Sequence, residues 1–340
     1  MRICFTYNVK HDLNYSTTSP QADIEFDSID VIESIEKTLQ ELGHTVLKVE
    51  ADLNAYNILK EHKGDIDLVF NIAEGLYGDA RESQIPLFCE MLEIPYTHSS
   101  PTTNAIKLNK HLTKALLKSI GVKSPESVVV DKKSKLDALK LKYPIIVKPN
   151  REGSSKGIFN DSVVNNFEEL KKAVCRLLTD FGCREVLVEE YIDGRELTVA
   201  LLGNPPQVLP IIEQRFDFLP PGFNKIAGYE AKWIYEDNLK DLSDAYICPA
   251  ILSPELQEKI EKMSKQIWDV LGVQDCARID YRLKSDGLYF LEINTFPGMI
   301  PDPNITSYFP LAARKAGMNY DQMIDKIIKS ACARYQMSDQ

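Results

Sequence analysis

The spacing of hydrophobic and polar positions changes period several times along the chain, and each change predicts an element. Residues 2–8 (RICFTYN) read as a strand, and a polar stretch over residues 9–23 has no clear period. Ile29, Ile32, Ile35 and Leu39, with Leu42 beyond, have the spacing of a helix face, and Gly43 supplies its stop. Strand character returns at Thr45–Val49 and at Asp67–Ile72. This strand–helix–strand alternation predicts an open parallel sheet over residues 1–100, with ligands gathering at the carboxyl ends of its strands. Glu25, Asn71, Glu74 and the loop to Gly78 fall at that edge, where ordinary loop polarity would look the same.

Further on, Asn104–Ile120 reads as one helix, ended by Gly121 and Pro125. Strands follow at Ser127–Val130 and Ile145–Lys148, then an amphipathic helix over Phe167–Leu178 and strands at Val186–Glu190 and Arg195–Leu202. Residues 203–250 are rich in proline and read as loops, with Lys232 and Trp233 standing out among them. Residues 254–272 form a helix with Ser253 as cap, Pro254 in its first position and Gly272 as stop. From Tyr308 onward the chain is helical in character and frays into a polar tail.

Between the last two helical regions lies CARIDYRLKSDGLYFLEINTFPG, Cys276 to Gly298. Ala277, Ile279 and Tyr281 alternate with polar residues, Ser285-Asp286-Gly287 turns the chain, and Leu288, Phe290 and Leu291 return it, which predicts a β-hairpin. Residues two apart on a strand share a face. Arg278 with Asp280, and Glu292 with Asn294, can therefore converge on one side. Three oxygen-bearing side chains there suit Mg²⁺, which prefers oxygen ligands and keeps some for phosphate. Taken alone, a solvated hairpin face has the same pattern.

A second stretch, YPIIVKPNREGSSKG from Tyr143 to Gly157, pairs a buried strand carrying Lys148 with the small-residue loop Gly153-Ser154-Ser155-Lys156-Gly157. Glycines let backbone N–H groups approach a phosphate, and the lysine adds a point charge. No GK[ST] closes the loop, so it is not a Walker sequence, and a flexible surface hairpin is the alternative. The strand VLVEE runs into Tyr191-Ile192 and can offer backbone amide and carbonyl groups to a planar base. Glu189, Glu190 and Ile192 are candidates for that contact; two edge-strand glutamates would look alike.

Composition narrows the field. The chain has 340 residues, 44% of them apolar and 26% charged, which suits a globular protein of two or three domains. A net charge of −10 argues against nucleic-acid partners. Seven cysteines without a CxxC pair read as reduced thiols, not a disulfide or zinc framework. The amino-terminal residues turn polar too soon for a signal peptide, and no apolar run approaches the ~18–20 residues of a membrane span. The expectation is a cytoplasmic protein without membrane contact. No GxGxxG follows the first strand, which speaks against a dinucleotide cofactor, and none of the five histidines sits in a recognisable motif.

In this order the pieces resemble the ATP-grasp superfamily, and within it the D-alanine–D-alanine ligase family. The resemblance extends over nearly the whole chain and is strongest in IIVKPNREGSSKG, VLVEEYIDGRELTVALLG and CARIDYRL…LEINTFPG. It implies an α/β fold, α+β in its C-terminal part: a substrate-side domain over 1–100, a central ATP-grasp subdomain with a phosphate-covering loop over 101–185, and a C-terminal subdomain with the metal-binding hairpin over 186–335. It implies ATP phosphates held by Lys110 and Lys148 beneath Ser154, Ser155 and Gly157, with Lys232 at the terminal phosphate. Adenosine would lie along Glu189, Glu190 and Ile192, with Glu196 on the ribose side. Asp280, Glu292 and Asn294 would bind two Mg²⁺, with Mn²⁺ as a substitute. Arg278 and the Gly298 amide would stabilise the charged intermediate, with the loop serine Ser154 on the same catalytic side. Glu25 would anchor the first substrate's amino group, and Ser307, ahead of Tyr308, the second substrate's carboxylate. The implied activity is ATP-dependent carbon–nitrogen ligation of small amino-acid-like substrates through an acyl phosphate. By the same analogy the enzyme is a homodimer serving cell-wall peptidoglycan biosynthesis.

The chain departs from the family on the amino-acid side. The polar segment Asn8–Asp23 replaces a glycine-rich start, and FNIAEGLYGDARESQIP replaces a His-Gly-rich loop, which sets Glu74 where the family has a histidine. A carboxylate there repels a substrate carboxylate and favours an amine. Trp233 stands where tyrosine is usual, and residues 299–305 lengthen the connection to Ser307. The substrates therefore need not be two D-alanines: other amino acids, or an amino acid and a secondary metabolite, are alternatives. A non-catalytic nucleotide-binding module is the rival from another class, against which the chain retains Asp280, Glu292, Asn294, Lys148 and Lys232.

Overall fold

In the computed structural model, which describes residues 1–10, 24–239 and 241–337, β1 (Arg2–Tyr7) is the central strand of a three-stranded parallel sheet. Most of the polar stretch over 9–23, His11 and the end of the polar tail lie outside the described residues. The helix α1 (Ile29–Glu41) leads into β2 (Thr45–Glu50) on one side of β1, and α2 (Ala55–Glu61) into β3 (Leu68–Asn71) on the other. A strand buried on both faces reads as a nearly continuous apolar run. Ile3 and Phe5 of β1 face α1, whereas Cys4 faces α2 and α3 (Gln84–Leu92). The buried stripe of α1 is Val31, Ile32, Ile35 and Leu39; Ile29, expected to belong to it, is half exposed. Neither α2 nor α3 was expected, because each is short and barely periodic.

The single helix expected over 104–120 is two. Ser100 accepts from the Thr103 N–H and Pro101 opens α4 (Pro101–Leu108); Asn109 then leaves helical geometry and caps α5 (Lys110–Lys118) by accepting from Leu112 N. The strands β4 (Ser127–Val130), β5 (Ile145–Pro149) and β6 (Val163–Val164) follow, with α6 (Phe167–Thr179) and β7 (Val186–Glu190). They form a four-stranded antiparallel sheet in the order β4-β7-β5-β6, covered by Leu170, Val174 and Leu177 of α6. Thus β7 completes the central sheet.

The third sheet holds β8 (Arg195–Leu202), β9 (Gln207–Val208), β10 (Ile212–Gln214) and β11 (Tyr246–Ile247). After α7 (Pro254–Leu271) it gains β12 (Cys276–Lys284) and β13 (Gly287–Asn294), the expected hairpin. Trp268 and Ile267 of α7 pack on Ile279, Tyr281 and Phe290. The opposite face meets α8 (Tyr308–Lys315) and α9 (Tyr320–Arg334), which also bury α1, so one core joins the two ends of the chain. Among the described residues no helix is long and apolar enough to cross a membrane.

Asp275, at the foot of β12, is fully buried and bonds three segments. It accepts from His98 N at 2.7 Å, from the Arg334 guanidinium of α9 at 2.8 Å and from the Asn204 amide at 2.5 Å. Removing one member of a buried charge pair leaves the other uncompensated. Asp275→Ala is expected to lower stability by about 3 kcal/mol, read as a reduced urea midpoint.

Candidate active site

The hairpin sets the floor. In its register Arg278 lies opposite Asn294 and Asp280 opposite Glu292, so all four side chains share one face, as residues directly paired across strands do. A bulge between Asp280 and Tyr281 follows, and the other face buries Ile279, Tyr281 and Phe290 in the core. Thr198 of β8, in register with Asp280, donates its hydroxyl to Asp280 Oδ1 at 2.8 Å. The Arg278 guanidinium donates to both Asp280 oxygens at 3.0 to 3.3 Å. Glu292 stands 3.4 Å from Lys110, the first residue of α5. Burial opposes its charge, but Lys110, Lys148, Lys232 and Arg278 outweigh burial and bring its pKa down to about 2.

The opposite wall comes from the central sheet. Lys148 on β5 and Lys114 on α5 both reach Glu189 of β7, Lys148 at 2.5 Å. Glu189 is 1% exposed; burial would raise its pKa, yet the two ammonium groups hold it below the usual carboxylate range. Burial likewise opposes the charge on Lys148, and Glu189 and Glu292 hold it above the usual lysine range. Glu196 on β8 pairs with Arg282 at 2.6 Å. Glu190 and Ile192 line, with Lys148, Glu189, Gln214 and Leu291, a cavity of about 80 Å³.

Over this wall lies the small-residue loop. Ser154 and Ser155 have φ of +46° and +60° and Gly157 +71°, a left-handed run that side chains other than glycine rarely adopt. At Gly157 a Cβ would stand 2.9 Å from the Pro149 ring, so the loop closes only with glycine there. Three contacts pin it. Gly153 N donates to Glu25, Ser155 Oγ donates to the Ala227 carbonyl, and the Trp233 indole donates to the Ser154 carbonyl at 3.3 Å. Lys232 and Trp233 sit in a single π-helical turn, Ala231–Tyr235, a geometry frequent at functional sites.

A second cavity of about 280 Å³ holds Glu25, Glu74, Trp233, Arg278, Gly298, Ser307 and Tyr308 on its walls. Ser307 Oγ donates to the Gly298 carbonyl at 2.9 Å and accepts from Ile300 N at 3.2 Å, which folds the lengthened 299–306 connection against the site. Tyr308 donates to Glu236 at 3.3 Å. Glu25, 4% exposed in its side chain, pairs with Arg81 at 2.7 Å. The two cavities share Glu152, Gly153, Lys232 and Glu292 and so communicate at the loop and the hairpin.

Known proteins are similar to this chain in sequence and fold. The family model described as D-ala D-ala ligase C-terminus matches residues 116–329. The D-alanine–D-alanine ligase of Aquifex aeolicus is 33% identical over 297 residues, 87% of this chain and 92% of its own. The chain belongs to the D-alanine–D-alanine ligase family. It is an ATP-dependent ligase on the ATP-grasp fold. Within the family, an uncharacterized protein of Sinorhizobium fredii is also 33% identical, over 313 residues, covering 90% of this chain and 88% of its own. The crystal structure of the Bacillus anthracis ligase complexed with ATP superposes with a TM-score of 0.73 at 25% identity, covering 99% of each chain.

Several residues of this family member's site escaped the sequence reading. Lys114 lies one turn beyond Lys110 on α5 and so shares its face. Thr198, Arg282, Arg81 and Glu82 lie within stretches already singled out but had no role assigned there, and Lys107 lies outside them; their partners appear only through tertiary packing. Glu189 is surrounded by lysines, and substitution should show it: Glu189→Ala strands two buried ammonium groups and is expected to cost about 3–5 kcal/mol. The half-buried neighbour Glu190→Ala should change stability by less than about 0.5 kcal/mol; urea unfolding of both compares them.

Proposed function

We propose that the protein joins an amino acid to an amine through an acyl phosphate, with ATP spanning the smaller cavity and the loop. The observation that carries the reading is the meeting of the two cavities at Lys232 and Glu292. A carboxylate in the larger cavity there faces a phosphoryl group covered by the loop. A substrate carboxylate oxygen attacks the terminal phosphorus and the bond to the leaving diphosphate breaks, giving ADP and an acyl phosphate. The amine nitrogen then attacks the acyl carbon, phosphate leaves, and the nitrogen loses a proton.

In this reading the chain's residues position and neutralise, as phosphoryl transfer requires. Lys110, Lys148 and Lys232 offset the phosphate charge, and Glu189 holds Lys148 in place. The loop over 153–157 covers the phosphates. Arg278 and the Gly298 amide face the acyl oxygen, and Ser307 and Tyr308 bound the space for the second substrate.

The hairpin donors fit Mg²⁺. Asp280, Glu292 and the Asn294 amide are hard oxygen donors on one face, and Glu292 is ionised well below neutral pH. Among the described residues no group of three or more His, Cys, Asp or Glu side chains gathers to enclose a metal, so phosphate and water would complete the shell. The ion would supply charge neutralisation at the transferring phosphoryl group.

Phosphate release is expected with ATP, Mg²⁺ and members of a panel of D- and L-amino acids, with product masses one water below the summed substrates. Chelation with EDTA should stop turnover, and Mg²⁺ or Mn²⁺ should restore it. Asp280→Ala should reduce turnover by ~100-fold or more. Phosphate release that ignores every amino acid would refute the ligation. Dominant D-alanyl-D-alanine would show that Glu74 and Trp233 leave the family's substrate choice unchanged.

A further inference from the structure

The amino-acid end of the larger cavity is crowded with carboxylates, and nearly all are already matched. Glu82 pairs with Lys107, both side chains almost inaccessible. Glu25 uses Oε2 for Arg81 at 2.7 Å and Oε1 for the Gly153 amide. Glu152 is met by Arg81 at 3.2 Å and Lys156 at 3.1 Å. Two are not: among the described residues neither the Glu74 nor the Asp27 side chain has a hydrogen-bond or ion-pair partner, although both line this cavity, and of the two Asp27 has the Lys10 ammonium acting on it.

Its backbone is rigidly placed. Asn71 Oδ1 accepts from Ala73 N at 3.1 Å, and Gly75 N donates to Asn8 Oδ1 at 2.8 Å. Gly75 has φ +76°, and a Cβ there would stand 2.5 Å from the Arg81 carbonyl. Burial, with Glu82 and Glu25 nearby, pushes the Glu74 carboxyl well above its ordinary range, and Lys107 and Arg81 only partly offset this. A carboxyl group that lines a cavity beside other carboxylates, with no ion-pair partner of its own, favours a cationic ligand.

We propose that Glu74, and not Glu25, receives the ammonium group of the amino acid bound in the larger cavity. Glu25 instead holds Arg81 and the loop amide together. This rests on the reading that the larger cavity is the amino-acid site. The ligand class is a carboxylic acid with a protonated amine; an acid of the same shape without the amine leaves Glu74 unmatched.

Binding tests it without turnover. The whole protein with Mg²⁺ and a non-hydrolysable ATP analogue is titrated with each amino acid of the panel and with its desamino acid (propionate for alanine), followed by thermal shift and calorimetry. The wild type should prefer the amino acid. E74Q should weaken amino-acid binding by ~10-fold or more and erase the preference over the desamino acid, and E74D should recover part of it. E25Q should keep the preference while weakening binding of the nucleotide analogue. Loss of the preference in E25Q but not in E74Q, or a wild type that binds no amino acid, would overturn the assignment. Phosphate release on the same panel separates the two readings: amino-acid binding without release refutes ligation and leaves Glu74 as the ammonium site.

Discussion

Charge removed from water has to be met by charge of the other sign, and the crevice between the central and C-terminal sheets is organised by that requirement. Lys114, Lys148 and Glu189 come from a helix and two strands far apart in sequence, and none of the three could be buried without the others. Arg282 with Glu196, and Arg278 with Asp280, repeat the arrangement on the facing sheet. Lys110 and Lys232 come on top of these pairs, and both bear on Glu292 where the two cavities meet.

The hairpin was legible because strand alternation and turn chemistry are local. The expected turn residues, Ser285 to Gly287, are where the chain reverses, and Arg278, Asp280, Glu292 and Asn294 share the face that period-2 spacing implies. The helix over 104–120 was misread because apolar spacing runs through Asn109 unbroken; what breaks it is the competition between Asn109 as helical residue and Asn109 as cap, which its side chain wins. Ile29 was misplaced for a related reason. The periodic pattern admits it, but Val31, on the side facing the sheet, takes the buried position.

The amino-acid side was less legible. Glu25 was expected as an anchor through the family resemblance alone, which carries no information about Arg81, 56 residues away and bound to it. Arg81 and Glu82 lie in a single 3₁₀ turn, too short to leave a period, and the cation that meets Glu82 comes from α4. Long-range pairing of charges is the part of a fold that a one-dimensional pattern does not encode.

Contacts at Glu25 and Arg81 tie the N-terminal domain to the small-residue loop. The Glu25 carboxylate, on the N-terminal domain, holds both the backbone of the phosphate-covering loop and the arginine that reaches the loop's Glu152 and the Arg151 carbonyl. Lifting the loop breaks the seam to the N-terminal domain, and drawing that domain away uncovers the loop. In the proposed reading, a small molecule leaving the larger cavity and a nucleotide leaving the smaller one pass the same latch.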